Sequence, residues 1–175
     1  MSASHSAVIS AIGRGFDGLG VPALAKDLGA ELIRLEDFDA TVAAVLAEAP
    51  AAENIVAQGT GDIAFDAEVA AALGLPLAII SGAPQRTGEL AQHNAESLGA
   101  TVAGIFTDLE AVPGALAALG DVSPVMSADL FQKQLIDQAR AADSHIVLPE
   151  GDDDRILEAA HVVLLSLIHI SEPTR

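Results

Sequence analysis

The sequence contains no cysteine, no tryptophan and no tyrosine among its 175 residues. Without cysteine there are no disulfide bonds and no thiolate chemistry, which fits a reducing compartment. Aromatic residues make up only 3% of the chain, whereas hydrophobic residues make up 51%. The core must therefore consist of alanine, valine, leucine and isoleucine, a composition that suits helices packed on a parallel sheet.

Positive charge is also scarce. The 8 Lys and Arg residues face 25 Asp and Glu residues, which gives a net charge of −17, and Lys26 and Lys133 are the only lysines. Such a surface repels phosphate backbones, so we expect no nucleic-acid partner. The N-terminus has no basic region before its short apolar run, and no apolar run reaches about 18 residues. We therefore expect no signal peptide and no membrane contact, and predict a cytoplasmic location.

Short apolar runs alternate with helical patterns along the first two thirds of the sequence. The predicted strands are 7–12, 31–35, 54–57, 77–81 and 101–106. The predicted helices are 21–28, 40–49, 66–73, 86–98 and 111–119. This alternation predicts an α/β fold, with a parallel sheet and helices on both of its faces. Residues 120–124 are typical of a linker, so we place the first domain at residues 1–122.

A glycine loop follows the first predicted strand. Gly13 and Gly18 have the spacing of the phosphate-binding motif G-x-x-x-x-G-K-[ST], in which a lysine contacts phosphate and a hydroxyl binds Mg²⁺. Leu19 stands at the lysine position and Gly20 at the Ser/Thr position. The sequence therefore predicts a degenerate phosphate loop that binds neither nucleotide nor metal. The alternative is a generic α/β domain with a glycine turn.

A second strand-to-helix junction lies near the C-terminus. His145 to Leu148 form an apolar run, Pro149 ends it, and Gly151 permits a tight turn. Residues 152–154 are three aspartates, placed where a helix N-terminus favours negative charge and capping oxygens. Three consecutive acids cannot all face one ion, so we interpret them as capping residues and predict no metal site.

The sequence Ile146 to Ala160, IVLPEGDDDRILEAA, follows the helical pattern LFQKQLIDQARAA. Together they resemble the start of the phosphotransacetylase domain of phosphate acetyltransferases, over residues 127–164. The resemblance implies a parent enzyme that interconverts acetyl-CoA and phosphate with acetyl phosphate and CoA. The family is thought to use direct attack of the CoA thiolate on acetyl phosphate, with an aspartate base and arginines that hold the phosphate. These residues lie later in that domain than residue 164, so no catalytic residue is assigned and we expect this chain alone to be inactive.

Long phosphate acetyltransferases also carry an N-terminal domain similar to dethiobiotin synthetases, which have a P-loop fold. Residues 6–107 resemble a shortened version of it, with the loop Gln58 to Gly61 where that fold has a glycine-rich acidic loop. Residues 123–164 would then be an incomplete α/β segment that begins the catalytic domain. CoA and acetyl-CoA would be substrates of the full-length enzyme, and this chain would bind no cofactor. Whether the enzyme forms a homo-oligomer stays open.

Residues 165–175 do not continue the family pattern. Their codons can be read back as a transposase-type sequencing adaptor, so we interpret them as read-through and assign no ligand role to His169. His145 and His161 are interpreted as structural or surface groups, and Glu150 and Arg155 are placed near the active-site cleft by position alone.

Two alternatives to the transferase hypothesis stay open. One is a stand-alone, non-catalytic P-loop-like module that regulates or binds a partner. The other is a different enzyme with the same catalytic domain, either a phosphate butyryltransferase or a malic enzyme fused to that domain. Continuation of the reading frame past residue 164 would separate the first alternative from the transferase hypothesis.

Overall fold

The computed structural model describes residues 5–50 and 52–142, together with Asp154, Arg155, Leu157, Glu158 and His161. The five strands are β1 Ala7–Ile12, β2 Glu31–Arg34, β3 Ile55–Gln58, β4 Leu77–Ser81 and β5 Val102–Phe106. The helices are α1 Val21–Leu28, α2 Val42–Glu48, α3 Ile63–Leu73, α4 Gln85–Ser97, α5 Val112–Leu119 and α6 Ala128–Ala141, with a 3-10 turn over Leu35–Asp37. The chain divides into two compact units, residues 1–130 and 131–175.

The strands form one sheet in the order β2-β3-β1-β4-β5, and every neighbouring pair is parallel. β1 is the central strand, which explains why its first five residues are buried. All strands of a parallel sheet end at the same edge, so the loops after β1, β3 and β4 lie side by side. This arrangement confirms the predicted α/β fold with a parallel sheet.

Helices cover both faces of the sheet. On one face, Val8 of β1 packs in a core with Val45 of α2, Val69 of α3 and Ala95 of α4. On the other face, Ile9 packs with residues of α1 and α5, namely Val21, Leu24, Val112 and Leu116. Adjacent residues of a strand point to opposite faces, so the unbroken apolar run of β1 supplies both cores.

Most predicted boundaries of helices and strands agree with the structure to within two residues, but the predicted start of α3 was wrong. The prediction began this helix at Asp66, whereas it begins at Ile63. Asp62 is the N-cap, and its Oδ1 accepts hydrogen bonds from the N–H groups of Ala64 at 2.9 Å and Phe65 at 3.4 Å. Asp66 consequently lies inside the helix, where it is fully buried.

The transferase-like segment is described only in part. Ser127 caps α6 as predicted, because its Oγ accepts a hydrogen bond from the N–H of Leu130 at 3.1 Å. Asp154, Arg155, Leu157, Glu158 and His161 are helical, as expected for the helix after the aspartates. The predicted strand 145–148, Glu150 and the tail 165–175 lie outside the described residues, so these assignments stay predictions.

Candidate functional site at the carboxyl edge of the sheet

The glycine loop joins β1 to α1 at the carboxyl edge of the sheet. Gly13, Gly18 and Gly20 have φ angles of 68°, 73° and 76°, in the left-handed region that favours glycine. A Cβ atom added to Gly13 would lie 2.7 Å from the Cβ of Ala83, in the loop after β4. The glycine at this position is therefore also required by the close approach of two loops.

Leu19, which stands at the lysine position of the phosphate-loop motif, is half-buried and packs against the hydrophobic core. The N–H of Leu19 donates to the carbonyl oxygen of Phe16 at 3.1 Å, and the side chain of Phe16 packs against the same core. Gly20 is the N-cap of α1 and provides no side-chain cap. The loop thus has no ammonium group at the lysine position and no hydroxyl at the Mg²⁺ position.

Arg14 is the one basic residue of this loop. Its Nη1 donates a hydrogen bond to the carbonyl oxygen of Thr107 at 3.2 Å, so the side chain reaches the segment after β5. Lys26 lies in the last turn of α1, at the far end of the helix from the loop. Neither residue occupies the position from which a phosphate-loop lysine acts.

A buried carboxylate joins the loop after β3 to the central strand. Ser10 of β1 donates from Oγ to Oδ2 of Asp66 at 2.6 Å. The N–H and the hydroxyl of Thr60 donate to Oδ1 at 2.8 and 3.0 Å, and the N–H of Gly61 donates to Oδ2 at 3.3 Å. A side chain at Gly59 would clash with the same carboxylate. Asp66 therefore fixes the conformation of the loop Gly59 to Gly61.

Burial raises the pKa of Asp66 above the model-peptide value of 3.8. Removal of the carboxylate from water disfavours its charged form, and the hydrogen bonds from Ser10, Thr60 and Gly61 oppose this effect without cancelling it. All four contacts are donors directed at the carboxylate, which is the arrangement that a buried acidic group requires.

Asp66 was not predicted as a special residue. A local signal was present, since it is an acidic residue near the start of a mostly apolar helix that follows a Gly-Thr-Gly turn. Its main partner, Ser10, is 56 residues away along the chain, so the pairing could be seen only once the sheet order was known.

In the part of the chain that the structure describes, no group of three or more His, Cys, Asp or Glu side chains could hold a metal ion. None of the helices described is long and apolar enough to cross a membrane.

The sheet order and the loops define residues 5–130 as a parallel α/β unit whose carboxyl edge carries a glycine loop without a lysine.

The segment that follows this unit is similar to known proteins. Residues 130–169 match the model of the family described as phosphate acetyl/butaryl transferase. A phosphate acetyltransferase of Corynebacterium glutamicum is 69% identical over 39 residues, which are 22% of this chain and 12% of that enzyme. No solved structure matches the chain.

These matches confirm the similarity of the C-terminal segment to phosphate acetyltransferases. The aligned part covers only 12% of the length of the curated relative. The family match ends at residue 169 and so includes five residues of the tail 165–175. The interpretation of that tail as read-through stays a prediction.

Proposed function

We propose that this chain is the N-terminal part of a phosphate acetyltransferase. The complete enzyme interconverts acetyl-CoA and phosphate with acetyl phosphate and CoA in the cytoplasm. The observation that carries the proposal is the 69% identity to a phosphate acetyltransferase over 39 residues. Although the matched segment is short, this identity and the sequence Leu-Pro-Glu-Gly before three aspartates favour this family over other proteins with a strand-to-helix junction.

The proposal assigns no catalytic residue to this chain. Transfer between CoA and phosphate needs cationic groups that hold the phosphoryl oxygens. Arg175 is the only basic residue after Arg155. Residues 123–164 form the beginning of the catalytic domain in this proposal, and the groups that bind CoA and phosphate belong to the remainder of the enzyme.

Residues 1–122 form an accessory domain in this proposal, similar to a P-loop domain that has lost its nucleotide site. The position of the glycine loop supports this, because the loop follows the central strand β1 and precedes α1. The packing of Leu19 against the core also supports it, since a leucine side chain held there cannot neutralise phosphate.

The accessory domain is expected not to bind ATP or GTP with micromolar affinity. Leu19 contributes no charge and Gly20 contributes no Mg²⁺ ligand, so only backbone N–H groups would face the phosphates. Isothermal titration calorimetry of the full chain with Mg²⁺-ATP and Mg²⁺-GTP measures this directly. Micromolar binding that disappears in Gly18→Val, with retention of the far-UV circular dichroism spectrum, would show that the loop is functional.

One observation favours the alternative of a stand-alone, non-catalytic module. The five strands and their helices close two cores on opposite faces of the sheet, and the described residues of these cores all lie between Ala7 and Leu116. A coupled assay of acetyl phosphate formation, with butyryl-CoA as the competing acyl donor, tests the transferase proposal and separates an acetyl from a butyryl transferase. The assay compares the 175-residue chain with a longer protein in which the chain is extended by the remainder of a catalytic domain.

A further inference from the structure

Residues 124–130, here called the strap, lie against the α/β unit and lead into α6. The N–H of Val125 donates to the carbonyl oxygen of Ala71 in α3 at 2.8 Å. A Cβ atom at Gly74, which ends α3 with φ 68°, would lie 2.6 Å from Cδ of Pro124. The segment 120–124 was predicted to be a linker, but its last residue packs closely on the end of a helix.

Leu130 anchors the other end of the strap. It is 8% exposed and packs in a small core with Leu46 of α2 and Ala72 of α3. Its N–H also donates to Oγ of Ser127, so the residue that is buried and the residue that caps α6 lie in one turn. Among the α6 residues described, Leu130 is the buried one.

Two large apolar side chains of α6 that follow Leu130 are exposed. Its apolar residues Phe131 and Leu135 are 54% and 50% exposed. The ion pair between Lys133 and Asp137 is solvent-exposed, and such pairs contribute at most about 1 kcal/mol. Isolated helices of about 12–15 residues are marginal in water, so tertiary packing supplies most of the stability of a helix of this length. Among the described residues of the 14-residue α6, Leu130 in the first turn makes the buried contact.

We propose that the strap is a conformational latch through which the α/β unit holds the first turn of α6. When the latch is closed, Leu130 lies in its core and Ser127 caps the helix. When it opens, the first turn of α6 loses the packing of Leu130 on α2 and α3. Leu130 is also the first residue of the segment that matches the transferase family. The latch does not depend on the proposed activity.

The latch is expected to open without unfolding of the sheet. A cleft of about 290 Å³ lies beside it, with Val125, Ser127 and Asp129 on the strap side and Glu68 and Ala71 on α3. An interface with unfilled space loses contacts on one side, so it opens at lower cost than the close-packed core around β1 and β4. The amide of Val125 should consequently exchange faster than amides of β4.

Amide hydrogen exchange of the full 175-residue chain tests the latch. Leu130→Ala should accelerate exchange at Val125 and in the first two turns of α6 by about tenfold or more, which corresponds to about 1.4 kcal/mol. Amides of β4 should change much less. Leu46→Ala, on the receiving side of the same contact, should accelerate exchange at Val125 in the same way. Leu135→Ala is the matched control, because it removes a half-exposed leucine from the same helix.

Three results would overturn the latch. Exchange at Val125 that is unchanged in Leu130→Ala would show that Leu130 does not hold the strap. An equal effect of Leu135→Ala would show that the effect is general to α6. Equal acceleration at Val125 and β4 would show that the strap opens only when the whole unit unfolds. If Leu130→Ala does not fold, Leu130→Val should give a smaller change at Val125 in the same direction, and the same criteria apply to it.

Discussion

The purified 175-residue chain is expected to form no acetyl phosphate from acetyl-CoA and phosphate. A chimera that joins residues 1–164 to the part of the C. glutamicum phosphate acetyltransferase downstream of its matched segment is expected to be active. The chain alone offers no cluster of cationic groups after Arg155 to hold the phosphoryl oxygens. The chimera regains such groups from the relative, and enzymes accelerate reactions by roughly a million-fold or more.

Because the two proteins are 69% identical over 39 residues, the chimera changes few residues near its junction. The intact C. glutamicum enzyme is the positive control. A second chimera that begins at Ser127 is the matched control, because it keeps the transferase-like segment and lacks the α/β unit. Formation of acetyl phosphate by the chain alone would contradict the assignment of the catalytic groups to the remainder of the enzyme. A folded but inactive chimera would contradict the assignment of residues 127–164 to this domain.

The substitution Asp66→Ala is expected to lower the free energy of unfolding by about 2 kcal/mol or more. It leaves the buried hydroxyl of Ser10 without its acceptor, at a cost of about 1–3 kcal/mol, and it also removes the acceptor of the part-buried N–H groups of Thr60 and Gly61. Asp66→Asn keeps the shape and one oxygen but directs an NH₂ group at a donor. We expect this variant to lose about 1–2 kcal/mol. Urea denaturation of the full chain measures both values.

Asp62→Asn is the matched control for the Asp66 variants. Asp62 lies in the same turn, is exposed and caps α3, and asparagine caps a helix about as well as aspartate. Its effect should be close to zero. If Asp66→Ala and Asp62→Asn had equal effects, the carboxylate network would not hold the loop after β3.

The stability contributed by Asp66 should also depend on pH. Because burial raises its folded-state pKa above 3.8, the folded chain binds this proton more tightly than the unfolded chain. The linked contribution is fully present below 3.8 and is lost as pH rises through the folded-state pKa. The stability of the wild type relative to Asp66→Asn should therefore fall as pH rises through that window. A relative stability that increased with pH there would contradict the raised pKa.

The elements that the sequence predicted well are those with strong local signals at both ends. β1, α1 and β4 were predicted with the bounds that the structure shows. β1 and β4 are largely apolar runs that each end directly before a glycine, and α1 has a proline in its first turn and a glycine at its end. Such signals act over a few residues and need no knowledge of the rest of the fold.

The features that the sequence did not predict depend on contacts between distant parts of the chain. The buried role of Asp66 was not predicted because its partner Ser10 lies on β1, 56 residues away along the chain. The close packing of Pro124, the last residue of the predicted linker 120–124, was not predicted because Gly74, which it contacts, ends a helix far earlier in the sequence. That Leu19 stands at the lysine position was visible in the motif, but its packing against the core became visible only with the fold.

The most direct test of the proposed identity is the genomic sequence downstream of codon 164, read from one uninterrupted DNA molecule. We predict that the frame continues past Leu164 into further strand–helix units similar to phosphate acetyltransferases, and that the codons for residues 165–175 are absent from the genome. A genuine stop codon directly after Arg175 in the intact locus would contradict the proposal and would favour a stand-alone α/β module.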